Sequence, residues 1–392
     1  MKLPERIRGV PPYIYAEMDE AIKRAKEKGL DIINIAHGDP DLEPPSEVVE
    51  ELKKSLSEKD FFKYPSYWGL IDLREKISEW MKKRFKVFMD PEEEIMVLIG
   101  GKEGITHLFL ALCEKGDYAL IPDPAYPTYR TSVLFSGSTP YELPLLKENE
   151  FLPDINSVKK NILNKTKVII LNYPNNPTSK RADIKFFKEL FDFCNKWGIY
   201  IIHDNAYSEI YEEELPPSIF EVEGAKDIAV EIHSFSKTYN MQGFRIGWVC
   251  GSKEILKALS IIKTNTDSGV FIPIQKAAIK AIEVYDTFTP QLRKIYKERR
   301  KIIKEYLERI GWHYYNSDST IYVWAEMNSR EKDSMKMVSD LIDKKGVMIG
   351  PGAGYGKYGE SYLRFSLTQP EKRIKEGMKR FIEYLEENLG KF

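Results

Sequence analysis

Ser234-Phe-Ser-Lys-Thr-Tyr-Asn-Met-Gln-Gly-Phe-Arg245 is the stretch that says most about this chain. It places Lys237 between hydroxyl side chains and eight residues before an arginine, with a strand-like run on either side. A lysine amine that sheds its proton can attack a carbonyl carbon, and hydroxyls with a guanidinium suit a phosphate. Lysines are mostly solvent-exposed, so a solvated basic loop is the competing interpretation. The segment alone leaves both interpretations open.

The composition of the chain argues against several classes of protein. The chain has 392 residues, enough to bury a sizeable core and to form two domains. Its formal net charge of −1 gives no basic field for nucleic acid. No apolar run reaches the length of a membrane span, and the N-terminus has no signal-peptide pattern. Three scattered cysteines indicate neither a disulfide framework nor a metal site, so we expect a soluble cytoplasmic protein without a metal or a membrane partner.

The apolar pattern predicts the fold class. Short β-branched runs alternate with longer helical patterns between about residues 95 and 285, which is typical of an α/β fold whose central sheet is mainly parallel and flanked by helices. After residue 290 the pattern changes to a smaller α+β arrangement. We therefore expect a large domain over residues 46–289 and a small domain built from residues 1–45 and 290–392. The predicted strands are Ile95–Gly100, Tyr118–Pro122, Lys167–Asn172, Tyr200–His203, Ile228–Ile232, Arg245–Gly251, Thr320–Ala325, Val347–Ile349 and Tyr362–Leu367, and a charged helix is predicted over Leu292–Ile310.

Ligands of parallel sheets gather beyond the carboxyl ends of the strands, so the residues that follow each strand matter most. Gly101 and Lys102 form a strand-to-helix turn whose free amides can cradle a phosphate, or a turn that merely needs glycine. Tyr126 stands between prolines and can stack on a heteroaromatic ring or pack in the core. The polar loop from Asn172 to Ser179 favours a binding role because loops at this edge commonly carry function.

Two charged residues sit in apolar surroundings. Asp204 directly follows a hydrophobic run and needs a cationic partner, either a protonated pyridine nitrogen or an arginine. Tyr207 can donate to a phenolic oxygen, and we interpret His203 as a packing residue. Arg364 lies in the middle of an apolar strand, where it suits a substrate carboxylate or an internal salt bridge.

The glycine spacing over residues 354–359 matches GxGxxG of dinucleotide-binding proteins. A strand follows it instead of a helix, and no βαβ unit with a later acidic residue accompanies it. We interpret the segment as a loop and set aside a nicotinamide-dependent dehydrogenase.

The succession of these elements resembles the class I/II aminotransferases, which are fold-type-I pyridoxal-phosphate enzymes, over nearly the whole chain. Aspartate, alanine and broad-range aminotransferases share many of the elements, and the LL-diaminopimelate aminotransferases resemble several stretches most closely. The resemblance implies ping-pong transfer of an amino group from an amino acid to a 2-oxo acid, with 2-oxoglutarate and glutamate as one couple, in lysine biosynthesis. The stretches are Pro11–Tyr15, Gly38–Asp41, Lys102–Ile105, Ser234–Met241 and Asp267–Phe271.

The resemblance also implies roles toward the cofactor, pyridoxal 5′-phosphate. Lys237 would hold it covalently and shuttle the α-proton, Asp204 would keep its pyridine nitrogen protonated, and Tyr126 would stack on its ring. Asn176 and Tyr207 would bond its 3′ oxygen, and Lys237, Asp204 and Tyr207 form the implied catalytic set. The implied phosphate ligands are Gly101, Lys102, Ser234, Ser236, Arg245 and, from the neighbouring subunit of a homodimer, Tyr64.

Substrate binding is implied for a second group. Arg364 would clamp the α-carboxylate with help from the backbone at Gly38, and Tyr13 would touch the substrate from the N-terminal segment. Tyr126 and Asn176 would face both cofactor and substrate. No pair of residues in the sequence explains how the distal group of the amino donor would be recognised.

Three departures from the family pattern stand out. Gly101 takes the place of a serine found in many relatives, Ser179 replaces the usual glycine after Asn-Pro-Thr, and His37 lies near the expected substrate entrance. Two alternatives remain on the same scaffold, namely a carbon–sulfur lyase that acts by β-elimination and a non-catalytic cofactor-binding relative.

Overall fold

The computed structural model describes residues 4–10, 16–315, 318–329 and 331–389. Its strands fall into a seven-stranded and a four-stranded sheet. The strands are β1 (Ile33–Ile35), β2 (Ile95–Leu98), β3 (Tyr118–Asp123), β4 (Thr139–Pro144), β5 (Thr166–Asn172), β6 (Tyr200–Asp204), β7 (Ala229–Ser234), β8 (Gly247–Gly251), β9 (Tyr322–Glu326), β10 (Val347–Pro351) and β11 (Tyr362–Ser366). The helices are α1 (Glu5–Arg8), α2 (Ala16–Glu27), α3 (Ser46–Ser55), α4 (Ile71–Phe85), α5 (Gly101–Leu112), α6 (Thr128–Ser136), α7 (Lys160–Leu163), α8 (Ile184–Trp197), α9 (Ala225–Ile228), α10 (Phe235–Thr238), α11 (Lys253–Thr266), α12 (Ile272–Glu283), α13 (Tyr285–Arg309), α14 (Ser334–Lys345) and α15 (Glu371–Leu389).

The large sheet has the order β2-β8-β7-β6-β5-β3-β4. Strand β8 is antiparallel to both of its neighbours, and every other pairing is parallel. The expected α/β fold with a mainly parallel sheet is confirmed. Strand β4 was not predicted, because this partly exposed edge strand contains prolines, which are tolerated at a sheet edge but weaken the strand pattern.

The small sheet has the order β1-β10-β11-β9 and joins the N-terminal part of the chain to the C-terminal part. Strand β1 was also missed, since three residues are too few for a periodic signal. Helix α13 begins at Tyr285, before the predicted start at Leu292, and Pro290 lies inside it. It therefore runs through the expected boundary at 289/290, and the domain limits stay a prediction.

The central strands are buried on both faces. Ile169, Ile170, Ile201 and Ile202 are inaccessible to solvent, and helices cover both sides of the sheet. Strands buried on both faces carry continuous apolar runs, which is why they could be recognised in the sequence. Because β3, β5, β6 and β7 run parallel, their carboxyl ends meet at one edge. The loops at that edge and the small sheet form the walls of the cavity described below.

No helix among the described residues is both long enough and apolar enough to cross a membrane. Cys113, Cys194 and Cys250 are all buried and free. Burial raises the pKa of the Cys113 thiol to about 12, which makes it a poor nucleophile.

Candidate active site

A cavity of about 620 Å³ lies beyond the carboxyl ends of the parallel strands. It collects residues that are far apart in sequence and come from both sheets. Of the predicted site residues, twelve line it: Gly38, Gly101, Lys102, Tyr126, Asn176, Asp204, Tyr207, Ser234, Ser236, Lys237, Arg245 and Arg364. Tyr64 does not line it and is 87% exposed, and Tyr13 lies outside the described residues.

Lys237 reaches the cavity from α10, which follows directly on β7. The side chain of Ser234 caps this short helix by accepting a hydrogen bond from the Ser236 amide at 3.1 Å. The Lys237 ammonium donates to the carbonyl of Gly38. Burial, aided by the positive charges of Arg364 and Arg245, lowers the pKa of Lys237 to about 8 against the opposing charge of Asp39. A lysine with this pKa supplies an appreciable fraction of neutral amine near neutral pH.

Asp204 ends β6, and its carboxylate is buried. It accepts a hydrogen bond from the Tyr129 phenol at 2.7 Å and one from the Ala206 amide at 3.3 Å. Burial raises the pKa of Asp204 above its ordinary value, and these hydrogen bonds oppose the rise. The two donors are neutral groups. A cation that enters the cavity would therefore stabilise the carboxylate further.

The start of α5 forms a concave surface. Gly100 adopts a φ of 78°, and a Cβ at this position would come within 2.4 Å of Nη2 of Arg245. The guanidinium thus occupies the space that any larger residue at position 100 would need. Free amides at the start of a helix together with a guanidinium suit a phosphate. Gly101 was predicted as a phosphate ligand and Gly100 was not, although both glycines belong to the same turn.

Packing against β7 explains why position 101 is a glycine. A Cβ there would lie 3.1 Å from Cγ2 of Ile232 on β7, which is closer than an ordinary contact. The serine of many relatives would press against this isoleucine. The hydroxyls at this edge of the cavity are those of Ser234 and Ser236.

The first turn of α5 is held from behind by a buried lysine. Glu103 accepts a hydrogen bond from the Ile99 amide at 3.1 Å. The ammonium of Lys263 lies 3.4 Å from Glu103 and 2.8 Å from Asp267. These contacts fix the turn that carries Gly100. The contact of Lys263 with Glu103 was not predicted, because it joins residues 160 positions apart.

Arg364 enters from β11 of the small sheet. Its Nη1 donates to the Asn176 side chain and its Nη2 to the carbonyl of Ala36, both at 2.6 Å. The guanidinium lies over the rings of Tyr322, at 3.8 Å, and Tyr355, at 4.6 Å. A planar cation held in this way can present its fork to a carboxylate.

Gly38 lies beside this arginine site. A Cβ on it would come within 1.9 Å of the Tyr322 hydroxyl, so any other residue at position 38 would displace Tyr322. Tyr322 in turn lies 3.2 Å from the hydroxyl of Tyr207. Burial raises the pKa of Tyr207 well above its ordinary value, so its phenol remains protonated at neutral pH. Tyr322 was not predicted as a site residue, because β9 precedes β11, the strand that carries Arg364, by about forty residues.

Tyr126 forms one wall of the cavity, and its ring meets that of Tyr129 edge-on at 5.7 Å between centroids. The ammonium of Lys102 lies 5.9 Å from the centre of the Tyr126 ring. Tyr129, three residues after Tyr126, was assigned no role from the sequence, since its bond to Asp204 depends on the placement of α6.

The structure gives a local explanation for Ser179 and shows where His37 lies. Ser179 has a φ of 60°, the region that favours glycine, and its hydroxyl donates to the carbonyl of Tyr322 at 2.9 Å. It therefore ties the loop after β5 to the small sheet. His37 lines the cavity, where its ring lies 3.0 Å from the Asn34 amide, and burial lowers the pKa of its imidazole.

The glycine-rich segment over residues 354–359 lies in two short 3-10 helices between β10 and β11. The carboxylate of Asp123 accepts hydrogen bonds from the amides of Lys357 and Tyr358. No α-helix begins there, so the segment lacks the strand–turn–helix context of a dinucleotide site.

Known proteins match this chain over nearly its whole length. The family model for aminotransferase class I and II matches residues 30–381. An LL-diaminopimelate aminotransferase of Aquifex aeolicus is 46% identical, and the match covers 96% of this chain and 97% of that protein. One from Halothermothrix orenii is 40% identical, with 97% and 98% covered.

Solved structures agree with these matches. BacF from Bacillus subtilis with bound substrate superposes with a TM-score of 0.93 at 32% identity, covering 98% of each chain. A probable N-succinyldiaminopimelate aminotransferase from Thermus thermophilus gives a TM-score of 0.90 at 31% identity, covering 95% of this chain and all of that one.

Proposed function

The chain belongs to the class I and II aminotransferases, and we propose that it uses pyridoxal 5′-phosphate to move the amino group of LL-diaminopimelate to 2-oxoglutarate. One observation carries the cofactor assignment. The cavity brings together a lysine of lowered pKa, a buried carboxylate whose hydrogen-bond donors are neutral, and a helix start beside an arginine. Family members use this cofactor, and these groups suit its aldehyde, its pyridine nitrogen and its phosphate respectively.

The residues present fit the cofactor at each of its polar groups. The amides of Gly101 and Lys102, the hydroxyls of Ser234 and Ser236, and the guanidinium of Arg245 would hold the phosphate. Asp204 would pair with the pyridine nitrogen, Tyr126 would cover the ring, and Asn176 and Tyr207 would bond its 3′ oxygen. When bound, the cofactor supplies a carbonyl carbon for the amino group and a ring that withdraws electrons from the donor's α-carbon.

The chain supplies the proton transfer and the orientation of substrate. The Nζ atom of Lys237, once neutral, would accept the proton from the α-carbon of the donor and later return it. Arg364 would orient the donor by its α-carboxylate, beside the carbonyl of Gly38. The phenols of Tyr126 and Tyr207 and side chains of the small sheet line the same cavity as Lys237.

The amino donor is proposed from the relatives, which are LL-diaminopimelate aminotransferases at 40–46% identity. The reaction would belong to lysine biosynthesis, and we propose that it takes place in the cytoplasm. An amino-donor screen with 2-oxoglutarate tests this. We expect glutamate to form with the highest kcat/KM from LL-diaminopimelate, and much more slowly from aspartate, alanine or the meso isomer.

Two other outcomes of the screen would replace the proposal. A preference for aspartate or alanine would make the protein another aminotransferase of the same family. Continuous release of pyruvate from cystathionine without any 2-oxo acid would make it a carbon–sulfur lyase. The screen should include a Lys237→Ala variant as control, because activity that persists in this variant does not come from the described cavity.

We also propose that the chain works as a homodimer in which Tyr64 reaches the cofactor phosphate of the neighbouring subunit. Tyr64 is 87% exposed in the single chain and lies in a segment with other exposed aromatic residues, Phe62 and Tyr67. Phe271, on a separate segment, is also exposed, and its ring lies 6.3 Å from that of Phe61 beside Phe62. Exposed aromatic groups of this kind are typical of interfaces.

A further inference from the structure

A buried carboxylate lies behind the candidate active site. Glu231 is in the middle of β7, completely inaccessible to solvent, and directly opposite His203 on β6. We define the Glu231 cluster as Glu231, His203, His233 and Ser218. Its members form contacts with one another on the side of the sheet away from the cavity, and none of them lines the cavity.

Glu231 accepts hydrogen bonds at both of its oxygens. Oε1 accepts from the Ile219 amide at 3.0 Å and lies 2.8 Å from Nδ1 of His203. Oε2 accepts from the Ser218 hydroxyl at 2.9 Å and lies 3.0 Å from Nε2 of His233. The Ser218 hydroxyl itself accepts from the Phe220 amide, so its own hydrogen points to Glu231.

This arrangement favours an ionised carboxylate. Burial alone would raise the pKa of Glu231, but the hydrogen bonds from His203 and His233 outweigh burial and lower it. Several donors converging on one carboxyl group stabilise its charged form. An isolated buried charge would be costly, so a cation must accompany Glu231.

His203 is placed to be that cation. Its Nε2 lies 2.9 Å from the carbonyl of Tyr173, and a carbonyl only accepts, so Nε2 carries a hydrogen. Its Nδ1 faces the ionised Glu231 and therefore carries a hydrogen as well. Both ring nitrogens are then protonated, which gives a buried imidazolium–carboxylate pair between two neighbouring strands.

The position of His203 connects this pair to the site. Its hydrogen bond to Tyr173 holds the loop that follows β5 and carries Asn176, and its bond to Glu231 holds β7, which leads to Lys237. The next residue in the chain is Asp204. The ionisable groups that face this region are Glu231 and His233 on β7, Cys250 opposite Glu231 on β8, Tyr173 after β5, and Tyr129, which bonds Asp204 from α6.

We propose that His203, held as an imidazolium by Glu231, is a positioning residue that keeps Asp204 ionised and aligned with the cofactor nitrogen. His203 precedes Asp204 in β6, with its side chain on the opposite side of the sheet, and a positive charge on its ring favours the ionised form of Asp204. The link to the cofactor rests on the proposed function, whereas the charge on His203 does not. The two parts are therefore tested separately.

The first experiment uses the cofactor-free protein. The chain has five histidines, and nitrogen-15 NMR distinguishes imidazoles with one or two protonated nitrogens. We use a His107→Asn background, since His107 also contacts a carboxylate, that of Glu103. At about pH 8.5, where exposed imidazoles are neutral, we expect one doubly protonated ring that disappears in His203→Gln. If every ring is singly protonated at this pH, or if the signal persists in His203→Gln, the proposal is overturned.

The second experiment compares two isosteric variants in the holoenzyme. Glu231→Gln removes the charge that holds the imidazolium, and Glu221→Gln is a matched control, because Glu221 bonds the Ser218 amide at 2.8 Å without contacting either histidine. We expect kcat to fall about tenfold in Glu231→Gln with KM nearly unchanged, and the acid side of its pH–rate profile to move to higher pH.

Several outcomes of this comparison would count against the proposal. Equal kcat and equal pH profiles in the two variants would overturn the link to Asp204. A fall in activity with an unchanged profile would show a structural role only. If Glu231→Gln fails to fold, the NMR measurement on the protein with intact Glu231 still decides whether His203 is charged. Inactivity of the wild-type protein with every amino donor would refute the proposed function and leave the NMR result standing.

Discussion

Tyr129 donates a hydrogen bond to the carboxylate of Asp204, 2.7 Å away, from the helix that follows β3. Both groups are buried. The phenol thereby opposes the effect of burial, which raises the pKa of Asp204. This contact joins two of the parallel strands at their carboxyl ends, and it leads to the first two predictions.

Replacing Tyr129 by phenylalanine removes a donor to the charged form of Asp204. The pKa of Asp204 should therefore rise further above its ordinary value, and a larger fraction of the carboxyl group should be protonated at a given pH. We expect the acid limb of kcat/KM against pH to move to higher pH and activity near pH 6 to fall about tenfold. The same profile in Tyr129→Phe and wild type would contradict this role of the phenol.

Replacing Asp204 by asparagine should abolish turnover but stabilise the cofactor-free protein. The folded-state pKa of Asp204 is raised, so its contribution to stability is complete below its unfolded value of 3.8 and is lost as the pH rises through the folded value. Asparagine carries no charge, so it avoids the free-energy cost of burying an ionised carboxylate. We expect the free energy of unfolding of Asp204→Asn at about pH 7.5 to exceed that of wild type by about 1–2 kcal/mol, with the gap narrowing toward pH 4.

Urea denaturation of the two cofactor-free proteins at several pH values measures this difference. A variant that is less stable than wild type at neutral pH would show that the carboxylate is not under strain in its buried position.

Replacing Arg364 by lysine keeps a positive charge and removes the planar fork. The guanidinium lies between two tyrosine rings and bonds Asn176 and Ala36, a geometry that a lysine ammonium cannot reproduce. We expect KM to rise about 10–100-fold for both the amino acid and the 2-oxo acid, because each presents a carboxylate. The affinity of the cofactor-free protein for pyridoxal phosphate should stay within about threefold, since other residues hold the phosphate.

Steady-state kinetics gives KM, and a spectrophotometric cofactor titration gives the affinity for pyridoxal phosphate. A loss confined to cofactor affinity, with KM unchanged, would remove Arg364 from the substrate site.

The proposed sharing of sites between subunits can be tested by mixing two inactive variants. A Lys237→Ala chain lacks the lysine of its own site, and a Tyr64→Ala chain lacks the tyrosine offered to its partner. After unfolding and refolding together, about half of the dimers should be hybrids with one intact site of two, so activity should return to about a quarter of wild type.

The control is the same mixing of Lys237→Ala with Asp204→Asn, in which both defects fall within one chain's own cavity. Each hybrid site then carries one defect, and no activity should return. Recovery in the control, or none in the Tyr64 mixture, would exclude the shared site.

The residues that line the cavity were easier to find in the sequence than the residues that support them. Asp204 ends β6, and Asn176 and Lys237 lie shortly after β5 and β7. These strands are buried on both faces, so their apolar runs located each strand end and hence each residue. The spacing within each motif is local, which makes it visible in a single sequence.

The residues that support the site are brought together by long-range contacts and by the register of paired strands. Tyr322 meets Gly38 and Arg364 only because β9, β10 and β11 pair in one sheet. His203 and Glu231 meet because β6 and β7 pair in one particular register, which no local pattern specifies. His203 therefore looked like a packing residue, and the short strand β1 and the proline-containing edge strand β4 were missed for want of a periodic signal.

A half-reaction tests the central claim most directly. The holoenzyme is mixed with LL-diaminopimelate in the absence of any 2-oxo acid, and the released oxo product is counted against the number of subunits. An aminotransferase that works through Lys237 converts one equivalent of donor per subunit, shifts the absorbance of its cofactor to that of the amine form, and then stops until 2-oxoglutarate is added. Continuous product release without an acceptor, or release that is unchanged in Lys237→Ala, would contradict the account.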